Sequence, residues 1–295
     1  MVDIGPSGGE PLAPEILTYY AAGAERSRLF QGHGELERVR TQELLLRYLP
    51  PPPAVVLDVG GGPGVYASWL AERGYEVHLI DPVPLHVEQA RHAGLARPGC
   101  SLARSRTGDA RRLDWATASA DAVLLLGPLY HLTERADRLR ALQEAAGVTR
   151  PGGLIFAVGI SRFASVLDGL AAGYLRDPLF AQIVEHDLAT GQHRNPRDQP
   201  AYFTTAYFHH PNELQQEIRE AGLTILETVA IEGPGWWLPQ PFAAWWDDPD
   251  GRERLLAAVR AVERETTLLG LSPHLMVIAQ HSQGDPPAST TEGLR

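Results

Sequence analysis

Short apolar runs alternate with longer amphipathic stretches along most of the chain, the rhythm of strands joined by crossover helices. The first clear run, Val55-Val56-Leu57, is bounded upstream by Pro50-Pro51-Pro52-Pro53 and predicts a buried strand. A glycine-rich turn follows, then a helical pattern from Val65 to Arg73 and a second strand from Glu76 to Ile80 that ends on Asp81. Together these form one strand–turn–helix–strand unit of a parallel α/β sheet. Downstream, Pro82 to Gly94 predicts a second crossover helix, and Leu102 to Gly108 a third strand. The fourth, Asp121 to Leu126, is nearly all apolar, as a strand covered on both faces should be. Thr133 to Val148 reads as an amphipathic helix capped by Thr133, Arg150-Pro151-Gly152-Gly153 as a turn, and Leu154 to Ile160 as the fifth strand. Near the end, Asn212 to Ala221 predicts a helix, and Gly222 to Ile231 and His274 to His281 the last two strands.

The regions outside this rhythm are of three kinds. Residues 1–14, rich in Gly and Pro, read as a flexible N-terminus, and 283–295, with Pro286-Pro287 and a Ser/Thr run, as a disordered tail. Glu15 to Phe30 is loosely helical, and Glu35 to Leu49 is a firmer helix stopped by the four prolines. Residues 162–210 separate the fifth strand from its helix by far more than the ~2–6 residues usual for such connections. This insert holds a helical stretch near Ala164–Tyr174, a polar segment from His186 to Pro200 and an aromatic run from Tyr202 to His210. A second insert, 233–271, carries Trp236-Trp237 and Trp245-Trp246, then a helix from Gly251 to Thr267. Both inserts read as caps over a substrate, although aromatic packing on the sheet would explain the tryptophans equally well.

Composition narrows the function. A hydrophobic share of 44% and a charged share of 21% fit a soluble globular chain. A formal net charge of -10 argues against a nucleic-acid partner held by phosphate neutralisation. Arg104, Arg106, Arg111 and Arg112 form a local basic patch, but Asp109 and Asp114 interleave it. One cysteine, Cys100, allows no internal disulfide, and no apolar run approaches the ~18 residues of a membrane span. With no cationic, apolar leader at the start, a cytoplasmic location is expected.

The chemistry concentrates where the first strand meets the first crossover helix. Gly60, Gly62 and Gly64 let a nucleotide-like ligand approach the backbone, and the helix N-terminus offers free N–H groups. Asp81 stands where an acidic side chain takes a ribose hydroxyl pair. Asp58, inside the strand, precedes the glycines and is unhelpful to a pyrophosphate, but it suits a ligand carrying positive charge. The segment Asp58-Val59-Gly60-Gly61-Gly62-Pro63-Gly64 resembles the first motif of the class I S-adenosylmethionine-dependent methyltransferases. The resemblance covers about residues 15–282, with its specific motifs between 55 and 161. It implies a Rossmann-like, seven-stranded, mostly parallel α/β sheet with helices on both faces, closed by an antiparallel hairpin and covered by N-terminal helices and cap inserts.

The resemblance also implies residue roles. Asp109, with the Ala110 N–H, is expected to contact adenine, although a helix cap is the alternative. Asp81 and Pro82 fall at the ribose, and Leu126 and Gly127 are expected against the cofactor through their backbone. Tyr20, Arg28 and Arg40 are candidates for the methionine end, because an arginine fork suits a carboxylate. His131 lies at the carboxyl end of a central strand, and is a candidate base or an orienting residue. His209 and His210 are further candidate bases, and Tyr130, His131, Arg162, Tyr207, Trp236 and Trp237 candidate acceptor contacts. No metal spacing is present; His209-His210 alone do not make a site. The expected reaction is methyl transfer from S-adenosylmethionine to an O, N or C nucleophile of a small molecule, in the manner of secondary-metabolite enzymes. Open alternatives are a non-methylating reaction such as a cyclisation, and a non-catalytic cofactor-binding subunit.

Overall fold

The computed structural model describes residues 13–21, 25–96, 99–238 and 242–282. The terminal segments 1–12 and 283–295, read above as flexible, lie outside the described residues. The strands are β1 (Val55–Val59), β2 (Glu76–Asp81), β3 (Arg104–Thr107), β4 (Ala120–Leu125), β5 (Thr149–Ser161), β6 (Gln192–His193), β7 (Ala206–His209), β8 (Leu223–Ala230) and β9 (His274–His281). Parallel pairing gives β3-β2-β1-β4-β5. Antiparallel β9 then lies beside β5, and β8 beside β9. These seven strands form the expected sheet. The other two come from the first insert: β7 pairs with the last two residues of β5, and β6 with β7.

Period-two alternation along the strands explains why both faces are covered. Leu57 and Val59, with Val123, Leu125, Ile155 and Val277, pack on helices Arg135–Val148 and Pro211–Glu220. Val56, Leu124, Phe156, Val158 and Met276 face the opposite way, onto Leu44, Leu45, Ala67, Leu70 and Ala90. A smaller cluster of Leu36, Phe242, Trp246, Leu255 and Val259 seats the second insert on helix His33–Tyr48.

Several local expectations are corrected. The loosely helical region from Glu15 to Phe30 is two short helices, Pro14–Ala21 and Glu25–Arg28. Thr133 is not the helix cap: Glu134 holds that place without a side-chain bond, and the Thr133 carbonyl accepts from Arg138 instead. Arg150-Pro151-Gly152-Gly153 belongs to β5, entering through a register shift opposite Ala120 and Ala122. The polar segment after His186 opens with the end of a helix, Pro178–Thr190. Asp177 accepts from the Leu179 N–H at its start, and Gly191 closes it at positive φ. Asp-Pro before and Gly after were legible signals for it.

Arg40 is wholly buried and is committed to a backbone carbonyl, Ile231, and to Glu43 and Glu263. It ties helix His33–Tyr48 to the end of helix Pro249–Val262 and stands outside the cofactor cavity. Arg40→Ala is expected to destabilise the protein by about 3–5 kcal/mol, because Glu263 keeps its burial and loses a partner. Urea unfolding measures the loss, and nucleoside affinity in the folded fraction should not change.

Candidate cofactor and acceptor chambers

The carboxyl ends of β1, β2 and β4 meet in a cavity of about 130 Å3. Its floor is the glycine loop. Gly60, Gly62 and Gly64 all have positive φ. A Cβ on Gly60 would stand 2.7 Å from the Pro128 ring, and one on Gly61 would stand 2.5 Å from Asp58 Oδ2, so the backbone passes where no side chain fits. Gly64 caps helix Val65–Ala71 with no side-chain bond and packs against Ala90.

Asp58 is 1% exposed, and neither carboxylate oxygen has a hydrogen-bond partner among the described residues. Burial, and then the neighbouring Asp81 carboxylate, raise its pKa to about 7. Asp81 ends β2 and accepts from the Gly62 N–H at 2.8 Å and the Val83 N–H at 2.9 Å, with His86 Nδ1 at 3.1 Å. A carboxylate has about four acceptor sites, so capacity remains for a sugar hydroxyl. Pro82, Ala110, Leu126 and Gly127 line the same cavity, as the sequence leads one to expect.

Asp109 also lines it, but caps no helix. Its oxygens take the Arg111 N–H at 2.8 Å and the Arg111 guanidinium. Burial pushes this carboxyl up, but the Arg111 bonds outweigh it and hold the pKa below its ordinary value. Arg28 reaches the cavity with its guanidinium already paired to Glu37 at 2.5 and 3.0 Å and to Glu25 at 2.9 Å.

Helix Pro14–Ala21 closes the cavity from above. Tyr20 Oη lies 2.6 Å from His131 Nε2, Thr205 Oγ1 donates to Glu15 at 2.8 Å, and Tyr19 meets Phe203 edge to face. Burial lowers the His131 pKa to about 4. With Nδ1 turned toward the Thr205 carbonyl at 3.4 Å, the neutral ring accepts the Tyr20 hydroxyl through Nε2. His131 thereby ties the covering helix to the loop after β4, and its Nε2 lone pair is engaged by the Tyr20 hydroxyl.

A second chamber, of about 450 Å3, adjoins the first and shares Tyr20, Glu25, Arg28, Tyr130 and His274 with it. Trp236 and Trp237 line it; Trp246 is core and Trp245 exposed, so the two tryptophan pairs part ways. The remaining sequence candidates lie elsewhere. Along β7, alternation turns Phe208 into the chamber and leaves Tyr207 and His209 out of it. His209 Nε2 lies 3.3 Å from Glu217, which also holds the buried Arg138, while Arg138 stacks on Tyr207 at 3.6 Å. Arg162 binds the Phe208 carbonyl at 2.8 Å and Glu213 at 2.5 Å, and His210 caps helix Pro211–Glu220. These four residues scaffold the insert and line neither chamber.

The wall between the chambers holds a histidine that no motif or spacing singles out. His274 opens β9, with Nδ1 2.6 Å from Glu232 Oε1. Glu232 is fully buried, and its other oxygen accepts from Ser272 Oγ and the His274 N–H. Burial pushes the imidazole pKa down, but the Glu232 and Glu37 carboxylates outweigh it and hold it above the ordinary value. Nε2 has no hydrogen-bond partner among the described residues and is not fully enclosed, so it faces the chambers. Ligand atoms of Glu37, Glu232 and His274 lie within 4.8 Å of one another, a grouping able to hold a metal ion. Arg28 already occupies Glu37 with two bonds, and the cluster balances its charge through that pair.

Comparison with known proteins agrees with this geometry. A family described as "Methyltransferase domain" matches residues 57–157. Ubiquinone biosynthesis O-methyltransferase of Methylocella silvestris is 37% identical over 119 residues, which are 39% of this chain and 44% of that protein. This stretch is a class I S-adenosylmethionine-dependent methyltransferase domain. The chain spans between about a third and a half of the length of the curated relatives it matches. A solved methyltransferase from Methanosarcina mazei has the same fold (TM-score 0.55, 18% identity, 81% of this chain and 97% of that one). So does the [4+2]-cyclase SpnF (TM-score 0.54, 19% identity, 84% and 82%).

The methyltransferase domain fits its cofactor on the structure's own terms. The orphaned Asp58 carboxylate suits the ammonium of S-adenosylmethionine, and the side-chain-free loop admits its backbone approach. Because the Asp58 pKa is raised by folding, the penalty on the ligand-free protein grows as pH rises from its ordinary value to about 7. Wild-type stability should therefore fall relative to Asp58→Asn by about 1.4 kcal/mol per pH unit between pH 4 and 7. Urea unfolding of both proteins across that range checks it. At pH 6, S-adenosylhomocysteine should release a proton from Asp58 on binding, seen by calorimetry in buffers of different ionisation enthalpy.

Proposed function

We propose that this protein transfers the methyl group of S-adenosylmethionine to a nucleophile of a small, partly apolar acceptor seated in the outer chamber. The observation that carries this reading is the shared wall: Tyr20, Tyr130 and His274 line both chambers, which puts an acceptor held beside them next to the cofactor cavity. The cofactor supplies a methyl group already activated by its sulfonium. Asp58, the glycine loop and Asp81 hold it, with Asp109, Ala110, Leu126 and Gly127 at the adenine side and Tyr20 and Arg28 at the methionine side. Helix Pro14–Ala21 excludes water by its latch on His131.

An acceptor hydroxyl or amine must lose its proton as it gains the methyl. His274 Nε2, backed by Glu232, is placed to take it, in the arrangement of a base oriented by a third group. The acidic chain and the aromatic chamber favour a small molecule over a nucleic acid. A reducing, cytoplasmic setting suits the buried free thiol of Cys100. The fold alone does not choose between methyl transfer and cyclisation, since the cyclase shares it. Release of S-adenosylhomocysteine on turnover of an acceptor panel would separate them; product formation without it would favour cyclisation.

If His274 is the base, His274→Gln should slow transfer by about 10²–10⁴-fold while leaving cofactor affinity within about twofold. The imidazole must be neutral to accept, and its pKa is raised, so the rate should climb with pH through a midpoint above about 6.5. Glu232→Gln removes the raising charge and should move that midpoint down. A pH–rate profile of the three proteins reads both effects.

A further inference from the structure

The outer chamber carries two polar side chains with no partner among the described residues. Ser165 and Asp168 lie one turn apart on helix Ala164–Ala171, so they share a face, and both line the chamber. Ser165 is 6% exposed, and its buried hydroxyl has no hydrogen-bond partner among the described residues. Asp168 makes no side-chain hydrogen bond or ion pair among those residues either; only its carbonyl is used, by Ala172. Partial burial raises its carboxyl pKa from the ordinary value. Asp168 is half-buried; a buried hydroxyl and a partly desolvated carboxylate left in this state cost free energy that a ligand can recover.

The other ionisable groups of the chamber are provided for. Arg28 pairs with Glu25 and Glu37, His274 is held by Glu232, and His193 lies between Asp187 at 2.8 Å and the Tyr202 carbonyl at 2.7 Å. His33, whose pKa burial lowers, adds no cation. Among the described residues, Asp168 is thus the chamber carboxylate with no hydrogen-bonded or ion-paired partner. The rings of Phe180, Tyr202, Phe203 and Phe208 line the same chamber, surfaces that favour a cation over a neutral group.

We propose that Asp168 and Ser165 form a subsite for a protonated amine carried by the acceptor. Neither residue lines the cofactor cavity, whereas Tyr130 and His274 line both chambers. The ligand is thus two-ended: an ammonium held by Asp168 and Ser165, an apolar body along the aromatic walls, and the nucleophile at the shared wall. This specifies the acceptor class of the function proposed above and rests on the outer chamber being the acceptor chamber.

The test is calorimetric titration of the full-length protein, saturated with S-adenosylhomocysteine, with phenethylamine and with its neutral analogue 2-phenylethanol. The amine should bind at least about tenfold more tightly than the alcohol, as a charge-assisted hydrogen bond with an ionic partner does. Asp168→Asn should abolish that preference while leaving the alcohol's affinity unchanged, and Ser165→Ala should weaken the amine by a smaller factor. Equal affinity of the two probes, a preference that survives Asp168→Asn, or binding of neither probe would overturn the subsite. Failure of S-adenosylhomocysteine itself to bind would instead remove the cofactor reading, and the saturation step reports that separately.

Discussion

The constraint on which the rest of the site depends is a carboxylate with nothing to hold it. Asp58 sits at the end of a central strand, walled by a loop whose glycines leave no space for a side chain between it and Pro128. An acid so placed costs the ligand-free protein stability, and the raised pKa is the measure of that cost. Such a group is tolerable where a cation arrives to satisfy it. The same loop gives its Gly62 N–H to Asp81 and packs its Gly61 against Asp58, so both acids of the cavity are set by one short piece of backbone.

The two inserts and the N-terminal helix convert an open sheet edge into two connected rooms. The first insert is anchored beneath by the Arg138–Glu217–His209 network and by Arg162, none of which reaches the rooms themselves. That separation assigns this network to support, while the chamber walls of the insert combine aromatic rings with Ser165, Asp168 and His193. His274, bonded to Glu232, stands between the rooms because β9 begins at the shared wall.

Much of this was legible in the sequence because it is local. The strand–glycine–helix–strand unit, the apolar fourth strand and the placing of Asp58, Asp81, Asp109 and Gly127 follow from spacing within about 70 residues. What was not legible depends on side-chain direction and on distant pairing. Arg40 and Arg28 lie on neighbouring segments, yet one turns into the packing against Glu263 and the other into the cavity. Tyr207 and His209 were drawn to the acceptor by an aromatic run, but the pairing of β7 with β5 turned Phe208 inward instead. His274 stands 42 residues from Glu232, and only the β8–β9 hairpin brings them together. The helix Pro178–Thr190 is different: its Asp-Pro start and Gly end were present and outweighed by the polar residues that follow.

The central claim is that the buried Asp58 exists to meet the ammonium of a sulfonium nucleoside. Its most direct measurement compares S-adenosylhomocysteine with 5′-methylthioadenosine, which has the same nucleoside and no amino-acid end, on wild type and Asp58→Asn. The account predicts that wild type binds the former at least about tenfold more tightly, and that Asp58→Asn loses most of that difference. Equal binding of the two ligands by wild type, or no binding of either, would contradict it.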